Sequence, residues 1–259
     1  IIFFSQISGA EVRLSGAGKQ LSGHTFVGVR LCDLRLADTV IRDMVFEDVV
    51  AGGAHFRNII FENCRFSRVD LSHSTFENVV FRNCALESGK NADDTLVLTT
   101  FEGSSMKDVL FEQSRLYRVR LAELQAAGGK VSFKKMTDIV PEENYGLLLS
   151  GQELRICVED SQISGGKIKI HMAEKNKSFL IARNSIFSRF SVYCDAIFMQ
   201  NCTIADSRLG AAELIVRDSS LSGAEVLSTV KGYLVYNLYS SGKGGAGNSA
   251  HALGKGKIY

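Results

Sequence analysis

What the chain lacks narrows its class first. It has no tryptophan and one proline, Pro141, among 259 residues. It has no run of about 18 apolar residues, so it carries no transmembrane helix. No charged n-region leads into an apolar h-region, so no secretory signal peptide is expected. It also lacks a dominant charge: 30 Lys+Arg against 28 Asp+Glu leave a formal +2, which argues against nucleic acid as a partner. The six cysteines (Cys32, Cys64, Cys84, Cys157, Cys194 and Cys202) form no CxxC pair, so zinc-ribbon and thioredoxin spacings are absent. With no secretory signal, they are expected as free thiols in a reducing compartment. The five histidines are scattered and no HExxH occurs, so neither a metal nor any other cofactor is expected.

What the chain has is a five-residue period. From Leu21 every fifth residue reads Leu, Phe, Leu, Leu, Ile, Phe, Ala, Phe, Phe, Phe, Leu, Phe, Phe, Leu as far as Leu86. After Asn91 the same phase resumes at Leu96 and runs through Phe101, Met106, Phe111, Leu116, Leu121, Ala126 and Val131 to Met136. Neither the 3.6-residue helical period nor the two-residue strand period yields such a series. A second series lies two residues earlier and is smaller on average, for example Ile59, Cys64, Val69, Ser74, Val79 and Cys84. Residues two apart on an extended segment share a face, so each unit offers one large and one smaller inward side chain. The other positions carry Arg, Asp, Glu, Asn and Ser, as an outer surface does.

Units such as Cys64-Arg65-Phe66, Ser74-Thr75-Phe76, Cys84-Ala85-Leu86 and Ser114-Arg115-Leu116 resemble the pentapeptide-repeat family. Residues 21–140 carry the resemblance, although Val, Ile and Met often replace the small residue. It implies an all-β fold: a right-handed parallel β-helix, quadrilateral, with four units and about 20 residues per coil. With that period, Leu21, Ile41, Phe61, Phe81, Phe101 and Leu121 stack on one face. Leu36, Phe56, Phe76, Leu96, Leu116 and Met136 stack on another. Each buried Phe or Leu contributes about 1.5–3 kcal/mol before entropy is subtracted, so a charge at Phe61 or Phe81 is expected to be severely destabilising. Segments 88–94 and 126–130 read as bulged corners or short loops. If either is a full excursion, the stacks beyond it shift by one face.

Past Pro141 the phase is lost, but a block of three apolar residues, a polar one, Asx and Ser or Cys recurs, with Asx at 160, 184, 201 and 218. The spacings of 24, 17 and 17 predict less regular C-terminal coils, each Asx holding a turn. Near the N-terminus, Ser5-Gln6-Ile7-Ser8-Gly9 repeats as Ser161-Gln162-Ile163-Ser164-Gly165. The expected organisation is a regular β-helix over 1–140 and an irregular continuation over 141–227. A C-terminal cap over 228–239 and a flexible Gly/Ser/Lys tail over 240–259 follow. Segments 141–155 and 171–178 read as insertions or irregular turns. The array starts in mid-coil at Ile1, from which a missing N-terminal part is expected.

No catalytic constellation stands out. Cys64 and Cys84 should stack on adjacent coils, either as a redox or metal pair or as two small inward residues, and burial preference favours the second. His24 falls at an inward position. Asp93-Asp94 offers two carboxylates where a calcium site needs six or more oxygen ligands. The candidate binding residues are Arg115, Arg118 and Arg120, an outward basic patch suited to an acidic partner and partly compensated by Glu112 and Glu123. The expected function is therefore a non-catalytic protein–protein interaction scaffold, a monomer or end-to-end dimer. The Phe-rich, irregular array resembles those of bacterial type III secreted effectors. That resemblance implies a host-protein partner, synthesis in the bacterial cytoplasm and action in the host cytoplasm. Two alternatives stand beside it. One is a DNA-mimicking topoisomerase protector, opposed by the 15 Lys/Arg and 16 Asp/Glu of residues 21–140. The other is a polysaccharide-active β-helix enzyme, which would need an acidic face.

Overall fold

The computed structural model describes residues 6–8, 11–12, 15–17, 20–121, 124, 130–136, 138–141, 148–149, 155–170, 179–228 and 250–252. These are strands and turns, and no helix among them is long and apolar enough to cross a membrane. Nearly all strand pairs are parallel, and each strand pairs with its counterpart one coil on. Arg35–Arg42 pairs with His55–Glu62, which pairs with Thr75–Arg82. In-register parallel pairing at a fixed step is the definition of a β-solenoid.

The coil is bent by single residues in the left-handed region. From Gly23 to Asn83 every fifth residue has a positive φ, between 51° and 76°. A left-handed residue turns an extended chain sharply, and Gly, Asn and Asp enter that region at the lowest cost. This explains why the sequence places Gly, Asp or Asn at most of these positions, with Arg68 and His73 the exceptions. Four such corners per 20 residues give four flat faces, named here by the large inward residue of one coil: Phe61, Phe66, Leu71 and Phe76.

Both inward series are buried as expected. Ile59 and Phe61, Cys64 and Phe66, Val69 and Leu71, and Ser74 and Phe76 are all at most 3% exposed. Aromatic rings stack between coils, with Phe61–Phe81 at 5.0 Å and 11° and Phe46–Phe66 at 4.9 Å and 12°. Neighbouring faces meet edge to face, as Phe61 does with Phe66 at 5.4 Å and 81°. Both arrangements suit the aromatic quadrupole. The small inward residue has a second task. Next to a corner the backbone N–H has no carbonyl across the coil gap, and Ser Oγ of the following coil accepts it. Ala54 N–H donates to Ser74 Oγ, Ser74 N–H to Ser104 Oγ and Cys84 N–H to Ser114 Oγ, each at 3.0 Å. Buried N–H groups need such partners.

The stacking expected beyond Leu86 is corrected by the register. Phe81 pairs with Phe111, thirty residues on, and Phe76 with Met106. Residues 89–98 leave the coil as an antiparallel hairpin, Gly89–Lys90 against Leu96–Val97. Leu96 is 41% exposed there rather than in the core. Phe101 and Leu121 instead follow Leu71, through the bridges Asp70↔Thr100↔Arg120. Leu116 follows Leu86. Met136 also leaves its expected stack, since its N–H donates to Ser161 Oγ in the column of small inward residues. The inserted ten residues equal two units, so the shift is by two faces, not one.

From there the coil length changes. On the Phe61 face the register runs Phe111, Phe133, Val158, Ala182, Met199, Val216, in steps of 22, 25, 24, 17 and 17 residues. The Asx residues at 160, 184, 201 and 218 occupy corners with φ of 49–53°, as their spacing predicts. The 17-residue coils keep two tight corners, at Asn184 and Arg189 and then at Asn201 and Asp206. Strand Ile186–Gln200 is correspondingly long and unbroken. Within the segment expected to be a flexible tail, strand Ala250–Ala252 pairs with Val226–Ser228. The expected cap over 228–239 and the segment 171–178 lie outside the described residues, apart from Ser228 itself.

Candidate functional site

The outer surface follows from the same register. Because every coil stacks directly on the last, an outward residue lies beside its counterpart one coil on. Like charges at matching positions would repel along the whole rod. The row beside the corners at Asp43, Asn63 and Asn83 avoids this by alternating sign: Arg42, Glu62, Arg82, Glu112, Lys134, Glu159, Arg183. Ion pairs link successive rungs, Arg42 with Glu62, Arg82 with Glu112 at 3.0 Å and Lys134 with Glu159 at 3.6 Å. The Arg42 guanidinium holds the Glu62 carboxyl below the usual carboxylate range. Corner side chains form an amide row on the same principle, Asn63 donating to Asp43 at 3.1 Å and Asn83 to Asn63 at 2.8 Å.

Arg68 occupies a corner and bridges Asp48 and Glu47, each at 2.6 Å. Its hydrogen bond to Asp48 lowers that carboxyl's pKa. The guanidinium is raised in turn, chiefly by the same bond.

The expected basic patch is divided. Arg115 and Arg118 lie 5.3 and 5.5 Å from the centroid of the Tyr117 ring, one on either side of it in sequence. Both are exposed. Arg120 sits on the Leu71 face and pairs with Glu102 at 3.1 Å. Tyr117 is the member that sequence reasoning passes over. The signal is the spacing Arg-Leu-Tyr-Arg, in which Leu116 points in and Tyr117 points out between two cations. Next to it along the rod, Glu87 pairs with Arg65 at 3.0 Å.

A second feature absent from the sequence reading is an outward row that is apolar at every rung but that of Ser132. At the centre of the Phe61 face lie Val40, Ile60, Val80, Leu110, Ser132, Cys157, Ile181, Phe198 and Ile215, all half-buried. The equivalent rows elsewhere are polar or mixed: Arg35, His55, Thr75 and Ser105 on the Phe76 face, Arg30, Val50, Asp70, Thr100 and Arg120 on the Leu71 face.

The other candidates resolve into structure. Cys64 and Cys84 are inward neighbours whose thiols also reach backbone carbonyls, Cys64 that of Ile41 at 3.4 Å and Cys84 that of Phe61 at 3.4 Å. The Cys84 thiol is pushed up by its hydrogen bond to Cys64 and by burial. Burial pushes Cys194 up to about 12 and also raises Cys157 and Cys202. His24 is inward, its N–H on the Met44 sulfur at 3.3 Å. In the hairpin, Asp94 pairs with Lys90 at 2.7 Å, and Asn91 Oδ1 accepts the N–H groups of Asp93 and Thr95. Among the described residues no three His, Cys, Asp or Glu converge in a metal-binding arrangement.

These observations define a parallel β-solenoid with one outward row of alternating charge beside an outward row that is mostly apolar. Within that class, residues 41–85 match the family model described as Pentapeptide repeats (9 copies), and that segment is built of pentapeptide repeats. No curated protein matches the chain. Among solved structures it is similar to HetL, a pentapeptide repeat protein involved in heterocyst differentiation regulation from the cyanobacterium Nostoc, at 12% identity and TM-score 0.42, over 87% of this chain and 85% of that one. It is similar to a trypsin-treated variant of QnrB1, a plasmid-mediated fluoroquinolone resistance protein, at 11% identity and TM-score 0.42, over 86% and 90%. It is also similar to PfbA, a surface adhesin of Streptococcus pneumoniae, at 10% identity and TM-score 0.47, over 90% and 71%.

Proposed function

We propose that the protein is a non-catalytic binding rod that presents side chains at fixed spacing to a protein partner. The observation that carries this reading is the Arg115–Tyr117–Arg118 cluster on the exposed edge of the solenoid. Tyrosine and arginine are the residue types that most often anchor interfaces, and a ring already stacked between cations loses little side-chain freedom on binding. Two guanidiniums flanking a ring suit an acidic protein surface, where each can take a carboxylate bidentately. We place the protein with secreted effectors on the resemblance of its Phe-rich array, with synthesis in bacteria and a host partner. The alternating rows support this over DNA mimicry, because they cancel the single-sign field a mimic requires. They also oppose the acidic face of a polysaccharide enzyme, since carboxylates such as Glu62, Glu112 and Glu159 are interleaved with cations.

The test is affinity capture with the full chain from eukaryotic and bacterial lysates, beside a variant carrying Arg115→Glu and Arg118→Glu. Support is a eukaryotic protein retained by the wild type and lost by the variant. A bacterial topoisomerase as the retained protein, or capture indifferent to the two substitutions, overturns the reading.

A further inference from the structure

Among the described residues, the outward row of the Phe61 face has no counterpart on the other faces. Flat sheets that pack on another surface carry such apolar centres, whereas solvated faces alternate apolar-in with polar-out. The charged row running beside it restricts what can cover it. Its signs alternate at every coil from Arg42 to Arg183, so a covering surface must alternate too, at the same rise. A second copy of this chain meets that requirement.

We propose that two copies pair antiparallel, Phe61 face on Phe61 face, about a two-fold axis that crosses the rod between the Glu112 and Lys134 rungs. A two-fold axis across the rod lays each charged row on its own counterpart in reverse order, and each apolar row likewise. In this register Glu112 faces Lys134, Arg82 faces Glu159 and Glu62 faces Arg183 of the other copy, each pair opposite in sign, and Arg42 faces the neutral Gln200. A shift of one coil, with the axis through the Lys134 rung, places Lys134 on Lys134, Glu112 on Glu159 and Arg82 on Arg183. The alternation therefore excludes shifts by an odd number of coils, and among the even ones the axis between Glu112 and Lys134 overlaps the outward row from Val40 to Phe198 while pairing six of the charges. The contact is isologous and closes on itself without forming fibres.

The area suffices. Seven steps of about 4.8 Å along a face about 15 Å wide cover roughly 500 Å² per copy, or about 1,000 Å² in all, the lower bound for a specific interface. The Arg115–Tyr117–Arg118 edge lies away from this face, so both copies keep it open. The inference stands independently of the proposed function: the dimer and the captured partner use different surfaces.

The experiment is sedimentation equilibrium of the full chain across a range of concentrations, with two variants, joined by cross-linking of two more. Twice the chain mass is expected for the wild type and for Arg115→Glu/Arg118→Glu. Ile60→Lys, an outward substitution, should raise the dimer dissociation constant at least tenfold while its thermal midpoint stays within a few degrees. Register is read by a short bismaleimide on Val80→Cys, which this pairing sets opposite the partner's native Cys157. A covalent dimer is expected, and it should disappear when Cys157→Ser is added. A monomer at every concentration, a dimer indifferent to Ile60→Lys, or a cross-link that survives Cys157→Ser or fails to form in Val80→Cys overturns the proposal.

Discussion

Phe81 and Phe111, thirty residues apart, stack ring on ring at 4.9 Å and 7°. They are consecutive rungs of one column because residues 89–98 leave the solenoid after Ser88, and the chain re-enters at Thr99. The junction is closed by the Ser88 hydroxyl, which accepts the Thr99 N–H at 2.8 Å, and by Thr99 Oγ1, which donates to the Glu87 carbonyl at 2.8 Å.

Deleting residues 89–98 should therefore restore a 20-residue coil and leave a folded protein with a thermal midpoint within about 5 °C of wild type, since surface loop length has a small entropic effect. Deleting 89–97 instead leaves Leu98 as a one-residue bulge between Ser88 and Thr99, which disturbs the junction hydrogen bonds and should lower the midpoint further than the ten-residue deletion does. Thermal unfolding followed by circular dichroism distinguishes the two.

The corners make a second prediction. Asn201 has a φ of 53° and donates to Asn184 at 2.9 Å. Asn201→Ala should cost about 1–2 kcal/mol, since an alanine Cβ is crowded in the left-handed region. Asn201→Gly, which frees the backbone but loses the exposed amide bond, should stay within about 0.5 kcal/mol of wild type. Urea denaturation of the three proteins checks the order.

A third concerns acid. The Asp48 carboxyl is lowered in the folded state, first by the hydrogen bond from Arg68. A group whose folded pKa lies below its unfolded value stabilises the fold fully above the unfolded value, about 4, and loses that contribution as pH falls through the folded pKa. The urea midpoint of wild type should thus decline below about pH 4. Asp48→Asn should start lower at neutral pH and decline less. Glu62, lowered by Arg42, leaves a residual slope in both. Equal slopes for the two proteins would refute the assignment.

The fold is legible in the sequence because its period is unlike that of any helix or single strand, and because Gly, Asp and Asn mark so many corners. The Asx spacings of 24, 17 and 17 even register the shortened C-terminal coils. The hairpin is invisible for an arithmetic reason. Ten inserted residues preserve a five-residue phase, so Phe101 reads as the successor of Phe81, although it stacks beyond Leu71. Hydrophobicity at one position cannot say which face that position lies on; only strand register does. The site is less legible still. Arg115 and Arg118 are visible as charges, but Tyr117 matters through its orientation. Val40, Ile60 and Val80 look like core residues until the corner positions show that they point outward.

The uniform 20-residue section has a consequence for length. Between Asp43 and Asn83 every coil has the same four corners and passes its backbone hydrogen bonds upward in the same way, Asp43 N–H to the Glu62 carbonyl and Asn63 N–H to that of Arg82, each at 3.0 Å. A duplicated pair of coils inserted here keeps the corners, the backbone hydrogen bonds and the alternation of sign from Arg42 through Glu62 to Arg82. This section is a ruler graduated in steps of about 4.8 Å, on which the distance between the two ends can be reset, a pair of steps at a time, without redesigning either. The 17-residue coils, with a shorter perimeter and two tight corners each, are not interchangeable with the 20-residue ones.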